Sequence, residues 1–173
     1  MKKVFIAGGV SIDSIIYLPD FPEPVPQTIH QCIFNEVLGS TGSGKALNLC
    51  KIGFNVLLHA MIGDDIYGKR AIQELAQKNL EFQYDIDPEG TERHTNIMNK
   101  NGERISIFTN TISQAPEIDY NQFLSPIQDA DYVIVNLSDY TKKILPLVKE
   151  LGKPVWVDLH DYDGKNPWHA DYV

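Results

Sequence analysis

Four short apolar runs set the limits on what this chain can fold into. They are "VFIA", "NVLLHAMIG", "DYVIVNL" and "PVWVDLH". Runs of this length, apolar at successive positions, read as strands buried on both faces. The segments between them carry helical spacing. In "DDIYGKRAIQELAQKNL", Ile72, Leu75, Ala76 and Leu80 recur at three-to-four spacing, the apolar stripe of a helix laid on a sheet. "KALNLCKIG" sets Ala46, Leu47, Leu49 and Ile52 ahead of Gly53, a short helix with a glycine stop. Residues 141–151 read as another helix. Strands alternating with helices predict βαβ units, hence an α/β fold with a parallel sheet flanked by helices.

Two segments break this alternation. Four prolines lie between positions 19 and 26, where no helix can form and extended edge structure or a loop fits. "IHQCIFNEVLG" follows as a strand. "HTNIMNKNGERISIFTN" is a hairpin pattern turning at Asn101-Gly102. Residues 14–36 and 91–110 are therefore expected to form a small antiparallel sheet outside the α/β body. The last apolar strand is followed by "DYDGKNPWHADYV" with no covering helix. A parallel sheet needs cover on both faces, so the chain reads as a fold whose C-terminal part is missing.

Composition narrows the function. The 173 residues suffice for one domain, and 43% hydrophobic with 22% charged residues is an ordinary globular mixture. A net charge of -8 and no run of Lys and Arg argue against nucleic-acid binding. Cys32 and Cys50 form neither a framework nor a C-x-x-C pair, and the apolar run after Lys2-Lys3 stops at Asp13 without a signal-peptide core. Reduced thiols and a cytoplasmic location are expected, with no membrane span. The five histidines show no ligand spacing, so no metal site is expected.

The chemistry concentrates at "GSTGSGKALN", residues 39–48. It nearly spells the phosphate-binding P-loop G-x-x-x-x-G-K-[ST], with Gly39, Gly44 and Lys45 in place. The last position is Ala46, which lacks the hydroxyl that would hold Mg²⁺. Asn35 and Glu36 interrupt the strand that should precede such a loop. "VWVDL", an apolar strand ending in Asp158, resembles the second, metal-binding motif of the same class. A degenerate P-loop protein and a plain glycine turn both stay open on these residues. Lys45 reads as an exposed helix lysine, Asp64 and Asp65 as a solvated helix start, and Arg104 as a hairpin-flank charge.

The longer span "GSTGSGKALNLCKIGFNVLLHAMIGDDIYG" resembles the first signature of the ribokinase-like (PfkB) carbohydrate kinases. Gly44 stands at the second glycine of the family's pair, Ser43 replacing the first. Asn48, Ile52-Gly53 and Gly63-Asp64-Asp65 with Gly68 follow in order. "FIAGGVSIDSIIYLPDFP" is similar to the family's opening strand, with Asp13 at its acidic position. "HTNIMNKNGERISIF" is similar to the lid hairpin, "DADYVIVN" to a core strand, and "VWVDLH" to a strand with an aspartate at its tip.

The resemblance implies a ribokinase-like Rossmann-type fold with a small β lid, and ATP-dependent phosphorylation of a sugar or nucleoside hydroxyl. It implies that Asp13, Gly44 and Asn48 contact the acceptor, and that the glycine segment holds sugar rather than ATP. Asp158 is a candidate for the phosphate side. ATP and Mg²⁺ are implied as cofactors, and a homodimer through the lid as an assembly. The family's second signature, D-T-x-G-A-G-D, supplies the anion hole and catalytic base and does not occur in this sequence. The 173 residues alone are thus expected to be inactive and to represent the acceptor-side, N-terminal portion of the kinase. A non-catalytic sugar-binding or assembly module of the same fold is the alternative from another class.

Overall fold

A computed structural model of the chain describes residues 1–158 apart from Asn79, Ala115 and Leu137. In chain order the elements are β1 (Lys3–Ala7), β2 (Ser11–Tyr17), β3 (Ile33–Gly39), α1 (Thr41–Lys51), β4 (Asn55–Ile62), α2 (Ile66–Ala76) and β5 (Glu81–Ile86). They continue as β6 (Glu92–Met98), β7 (Arg104–Asn110), α3 (Leu124–Asp129), β8 (Tyr132–Val135), α4 (Asp139–Lys142), α5 (Leu145–Glu150) and β9 (Val155–Val157). The tail that follows, expected to bring no covering helix, lies outside the described residues.

The four apolar runs all enter one five-stranded sheet in the order β5-β4-β1-β8-β9, every pairing parallel. Side chains alternate between its two faces. Val4, Ile6, Val56, Leu58, Ala60 and Ile62 pack with Ala46 of α1 and Ala71 and Leu75 of α2. Phe5, Ala7, Met61, Val133 and Val135 pack on the opposite side with Ile127, Tyr140, Ile144, Leu145 and Val148 of the later helices. Helices thus cover both faces of β1, β4 and β8, which is why these strands are apolar at consecutive positions, whereas Trp156 of β9 is exposed. β5 is a sheet edge with partly exposed residues, and its sequence, "EFQYDI", lacks the apolar run that announced the others.

The second sheet is separate, with four strands in the order β3-β2-β6-β7. Its pairing corrects the antiparallel expectation. β2–β3 and β6–β7 are antiparallel, but β2–β6 is parallel. The reason is geometric. β2 continues from β1 and β6 from β5, and those two strands run in one direction in the main sheet, so their extensions leave it side by side with the same polarity. The hairpin turn sits at residues 99–103 with Gly102 at φ 80°, as the Asn-Gly signal required.

Two further expectations change in detail. Residues 41–44, read as a loop, form the first turn of α1. The helix foreseen over residues 141–151 is two short ones, α4 and α5. Pro146 has no N–H, and its ring would collide with the carbonyl of residue 142 in a continuous helix. No described helix is long and apolar enough to cross a membrane.

Candidate functional site

The strand β1 ends at Ala7, and residues 8–10 hand the chain directly to β2. Asp13 therefore lies within the small sheet, on β2, and not on the opening strand β1. Register sets which residues share its face. Asp13 is opposite Val37 on β3 and His94 on β6, and His94 is opposite Phe108 on β7. Ser11, Asp13, Glu92, His94, Asn96 and Ser106 consequently line one polar, inner face. That face lies against the β1–β2 link and the start of α1: a Cβ on Gly39 would collide with the Asp13 carboxylate, and one on Gly9 would come within 2.9 Å of Glu92 Oε2.

Asp13 is a well-supplied carboxylate. Ser11 Oγ donates to its Oδ1 at 2.6 Å, His94 Nδ1 approaches the same oxygen at 3.2 Å, and Asn96 Nδ2 donates to Oδ2 at 3.3 Å. Burial works to raise its carboxyl, but hydrogen bonds from His94 and Ser11, the His94 charge and the Asn96 bond outweigh it and hold Asp13 below its usual value. His94 also reaches Glu92 Oε1 from Nε2 at 2.8 Å, and its ring rests on Phe108 with centroids 4.1 Å apart. Burial opposes its charge, yet hydrogen bonds to Asp13 and Glu92 and their negative charge push His94 up to about 9.

The start of α1 forms the other wall. Ser40, ahead of the helix, has φ 72°, a left-handed conformation unusual for a side chain other than glycine, and its hydroxyl caps no helical N–H. Ser43 N–H donates to Gly9 O, and its hydroxyl bonds back to the Gly39 carbonyl. Gly42 is a packing glycine, since a Cβ there would sit 2.7 Å from the Gly8 carbonyl carbon and collide with Gly9 O. Gly44 is different: a Cβ on it would meet nothing within 4 Å. One turn on, Asn48 is exposed and donates from Nδ2 to the Gly44 carbonyl at 2.8 Å. Its Oδ1 and second N–H remain for another partner. Among the described residues no hydrogen bond joins Asn48 to Asp13.

Lys45 is not the solvated lysine its sequence suggested. Its Nζ lies 2.6 Å from Asp158 Oδ2 at the tip of β9 and 3.1 Å from Asn136 Oδ1 at the tip of β8. Asn136 in turn donates to the Thr41 hydroxyl. Asp158 thus meets Lys45, just past the first turn of α1, at the carboxyl ends of the strands where open α/β sheets receive ligands. Asp65 caps α2, accepting from Tyr67 N–H, Gly68 N–H and Thr91, while Asp64 is exposed beside Lys69. Arg104 opens β7 and is exposed. Among the described residues no cluster of His, Cys, Asp or Glu could hold a metal ion.

Glu92, His94 and Asn136 escaped the sequence reading. Glu92-x-His94-x-Asn96 does carry a signal: polar residues at every second position of a strand share one face. The Lys45–Asp158 pair carries none, because its members stand 113 positions apart.

No protein-family model matches the chain. A curated relative, the acarbose 7(IV)-phosphotransferase of an Actinoplanes species, is 26% identical over 163 residues, covering 93% of this chain and 54% of its own. Among solved structures, a microbiome-derived acarbose kinase is 25% identical with a TM-score of 0.89, over 99% of this chain and 57% of that one. Arabidopsis thaliana ribokinase, solved with ribose and ATP, shares the fold at a TM-score of 0.74 and 17% identity, over 92% of this chain and 54% of that one. The chain spans about half the length of the relatives it matches. In sequence and in fold, it matches the N-terminal portion of the ribokinase-like (PfkB) carbohydrate kinases.

Proposed function

We propose that this chain is the acceptor-binding portion and lid of a cytoplasmic carbohydrate kinase, which moves phosphate from ATP, with Mg²⁺, to a hydroxyl of a sugar or nucleoside. One observation carries the reading. Gly44 is a glycine inside a helix with open space where its side chain would be, at a cost of about 1 kcal/mol relative to alanine. No packing need offsets that cost. Bare backbone next to the free amide valences of Asn48 suits close approach of a polyhydroxyl ligand. Asp13, ionised on the facing sheet, would accept a hydrogen bond from a hydroxyl, and the small sheet would close over the acceptor. Two relatives named for acarbose and one solved with ribose support a sugar.

The described residues do not suit a triphosphate cradle. Residues 41–44 are already helical, Ser43 and Gly44 N–H groups are committed to Gly9 and Ser40 carbonyls, and Ala46 is buried. This counts against the degenerate P-loop alternative. In this reading the nucleotide, anion hole and catalytic base belong to the portion of the kinase fold that the relatives have beyond this match. The 173 residues alone should give no sugar-dependent ADP release. Asp158 would stand towards the phosphates through its pair with Lys45. The outer face of the small sheet, where Phe34, Ile105 and Ile107 are exposed, would pair with a second copy. Phe108, on the inner face against His94, would not.

The test is Asn48→Ala in the full-length protein. Acceptor binding should weaken by about 1–3 kcal/mol, the cost of lost polar partners, with ATP binding unchanged. Loss of ATP affinity with sugar affinity intact would overturn the reading in favour of a nucleotide loop.

A further inference from the structure

The inner face of the small sheet holds a histidine whose two ring nitrogens both meet carboxylates. His94 Nδ1 lies 3.2 Å from Asp13 Oδ1 and Nε2 lies 2.8 Å from Glu92 Oε1. A neutral imidazole has one N–H, so one of those carboxylates would face a nitrogen lone pair. Only the imidazolium satisfies both. The charged groups that face the ring are Asp13 from β2 and Glu92 from its own strand, while β7 offers the uncharged ring of Phe108. All three side chains are largely buried, between 12% and 15% exposed.

This arrangement governs what Asp13 can offer. A carboxylate has about four acceptor positions. Ser11 and His94 occupy those of Oδ1, and Asn96, itself held by Ser106 at 2.7 Å, takes one on Oδ2. The remaining position, on Oδ2, is fixed in direction by the donors on the other oxygen. A carboxylate with free rotation would have to be ordered when ligand binds; this one is ordered beforehand.

We propose that His94 is a positioning residue of the acceptor site: as an imidazolium bridging Glu92 and Asp13, it holds the Asp13 carboxylate turned so that Oδ2 accepts a hydroxyl of the sugar. This rests on the acceptor-site reading given above. Glu92 acts through His94, keeping the ring charged and oriented. The two bonds of His94 can be separated chemically. Asparagine at this position offers an N–H near Nδ1 and so towards Asp13. Glutamine offers one near Nε2 and so towards Glu92. Neither titrates.

The experiment measures acceptor affinity in the full-length protein by calorimetry, with ribose, acarbose and other sugars as probes, for wild type, His94→Asn, His94→Gln and Asp13→Asn. Melting temperatures and ATP affinity are followed alongside. Wild-type affinity should be flat around neutral pH and fall as pH rises through about 9, where the bridge loses its proton. His94→Gln should weaken sugar binding roughly tenfold at neutral pH, the worth of one charge-assisted hydrogen bond. His94→Asn should retain most of it, and both variants should lose the alkaline fall, with ATP affinity unchanged. Asn and Gln variants that behave alike, with affinity either kept or lost in both, would overturn the positioning role while Asp13→Asn still weakens binding. An Asp13→Asn variant that binds like wild type, or a protein that binds no sugar of the panel, would instead overturn the acceptor-site reading, and this proposal with it.

Discussion

The two sheets of this molecule solve opposite problems. The parallel sheet buries apolar side chains on both faces, and Ile6, Leu58 and Ile62 have no solvent exposure at all. The small sheet buries ions and amides on its inner face and leaves Phe34, Ile105 and Ile107 exposed on its outer one. Non-directional burial holds the first, so it tolerates little loss of volume but needs no specific partner. Directional hydrogen bonds hold the second, where each group is set by its neighbours and the proposed ligand would find its acceptors already aligned. On the proposed reading, stability and recognition fall to different strands of one chain.

The largest effect that can break this division is in the parallel sheet. Leu58→Ala should lower unfolding free energy by about 2–5 kcal/mol in urea titrations, through lost burial and the cavity left behind. Sugar affinity of the folded protein should stay as it was. A matching loss of affinity would mean that the two regions are coupled rather than divided.

Gly42 tests the seam between them. Its missing Cβ faces backbone of residues 8 and 9, which cannot swing aside as a side chain can. Gly42→Ala should destabilise by about 1–3 kcal/mol, as overpacking does, and should weaken acceptor binding because the β1–β2 link carries Asp13 into place. Destabilisation without loss of affinity would remove the seam from the site.

A further effect comes from pH. Folding raises the His94 value from 6.5 to about 9, so the folded protein holds that proton more tightly than the unfolded chain. Its contribution is fully present below about 6.5 and is lost as pH rises through 9. Thermal unfolding of wild type should show this alkaline decline, and His94→Gln should flatten it. A slope of the same size in the variant would assign the decline to another group.

The smallest effect has a sign that sharpens the comparison most. Gly44→Ala places a methyl in open space and removes glycine from a helix interior, so stability should rise by about 0.5–1 kcal/mol. Sugar affinity should fall at the same time. A variant that gains stability and keeps affinity would make Gly44 a plain helix residue.

The same division explains what could be read from the sequence. Consecutive apolar residues announce strands covered on both faces, and β1, β4 and β8 were visible for that reason; β9 shows such a run as well, although it is the other edge of the sheet and its Trp156 is exposed. β5 was not visible, because an edge strand with Glu81, Gln83 and Asp85 in it has no such run. The Asn101-Gly102 turn and the prolines marked the small sheet, since turn chemistry is local. The parallel β2–β6 pairing was hidden because it follows from the direction of strands laid down earlier in the main sheet. Asp13, Gly44 and Asn48 stood out through a motif. Lys45 draws its meaning from Asn136 and Asp158 across the fold, which no neighbouring residue announces, and His94 from Asp13 on another strand, with only the alternation of Glu92, His94 and Asn96 as a local hint.

The parallel pairing of β2 with β6 also sets an order in time. Between Ser11 and Glu92, the first residues of that register, lie β3, α1, β4, α2 and β5. Joining them closes a loop that contains much of the hydrophobic core, an entropic cost that falls once the intervening elements have packed. The face bearing Asp13 and His94 should therefore be assembled after the β1–β4 pair. Pulse-labelled amide exchange should find β1 and β4 protected before β2 and β6 during refolding. On the proposed reading, a newly made chain would be compact before it could bind an acceptor.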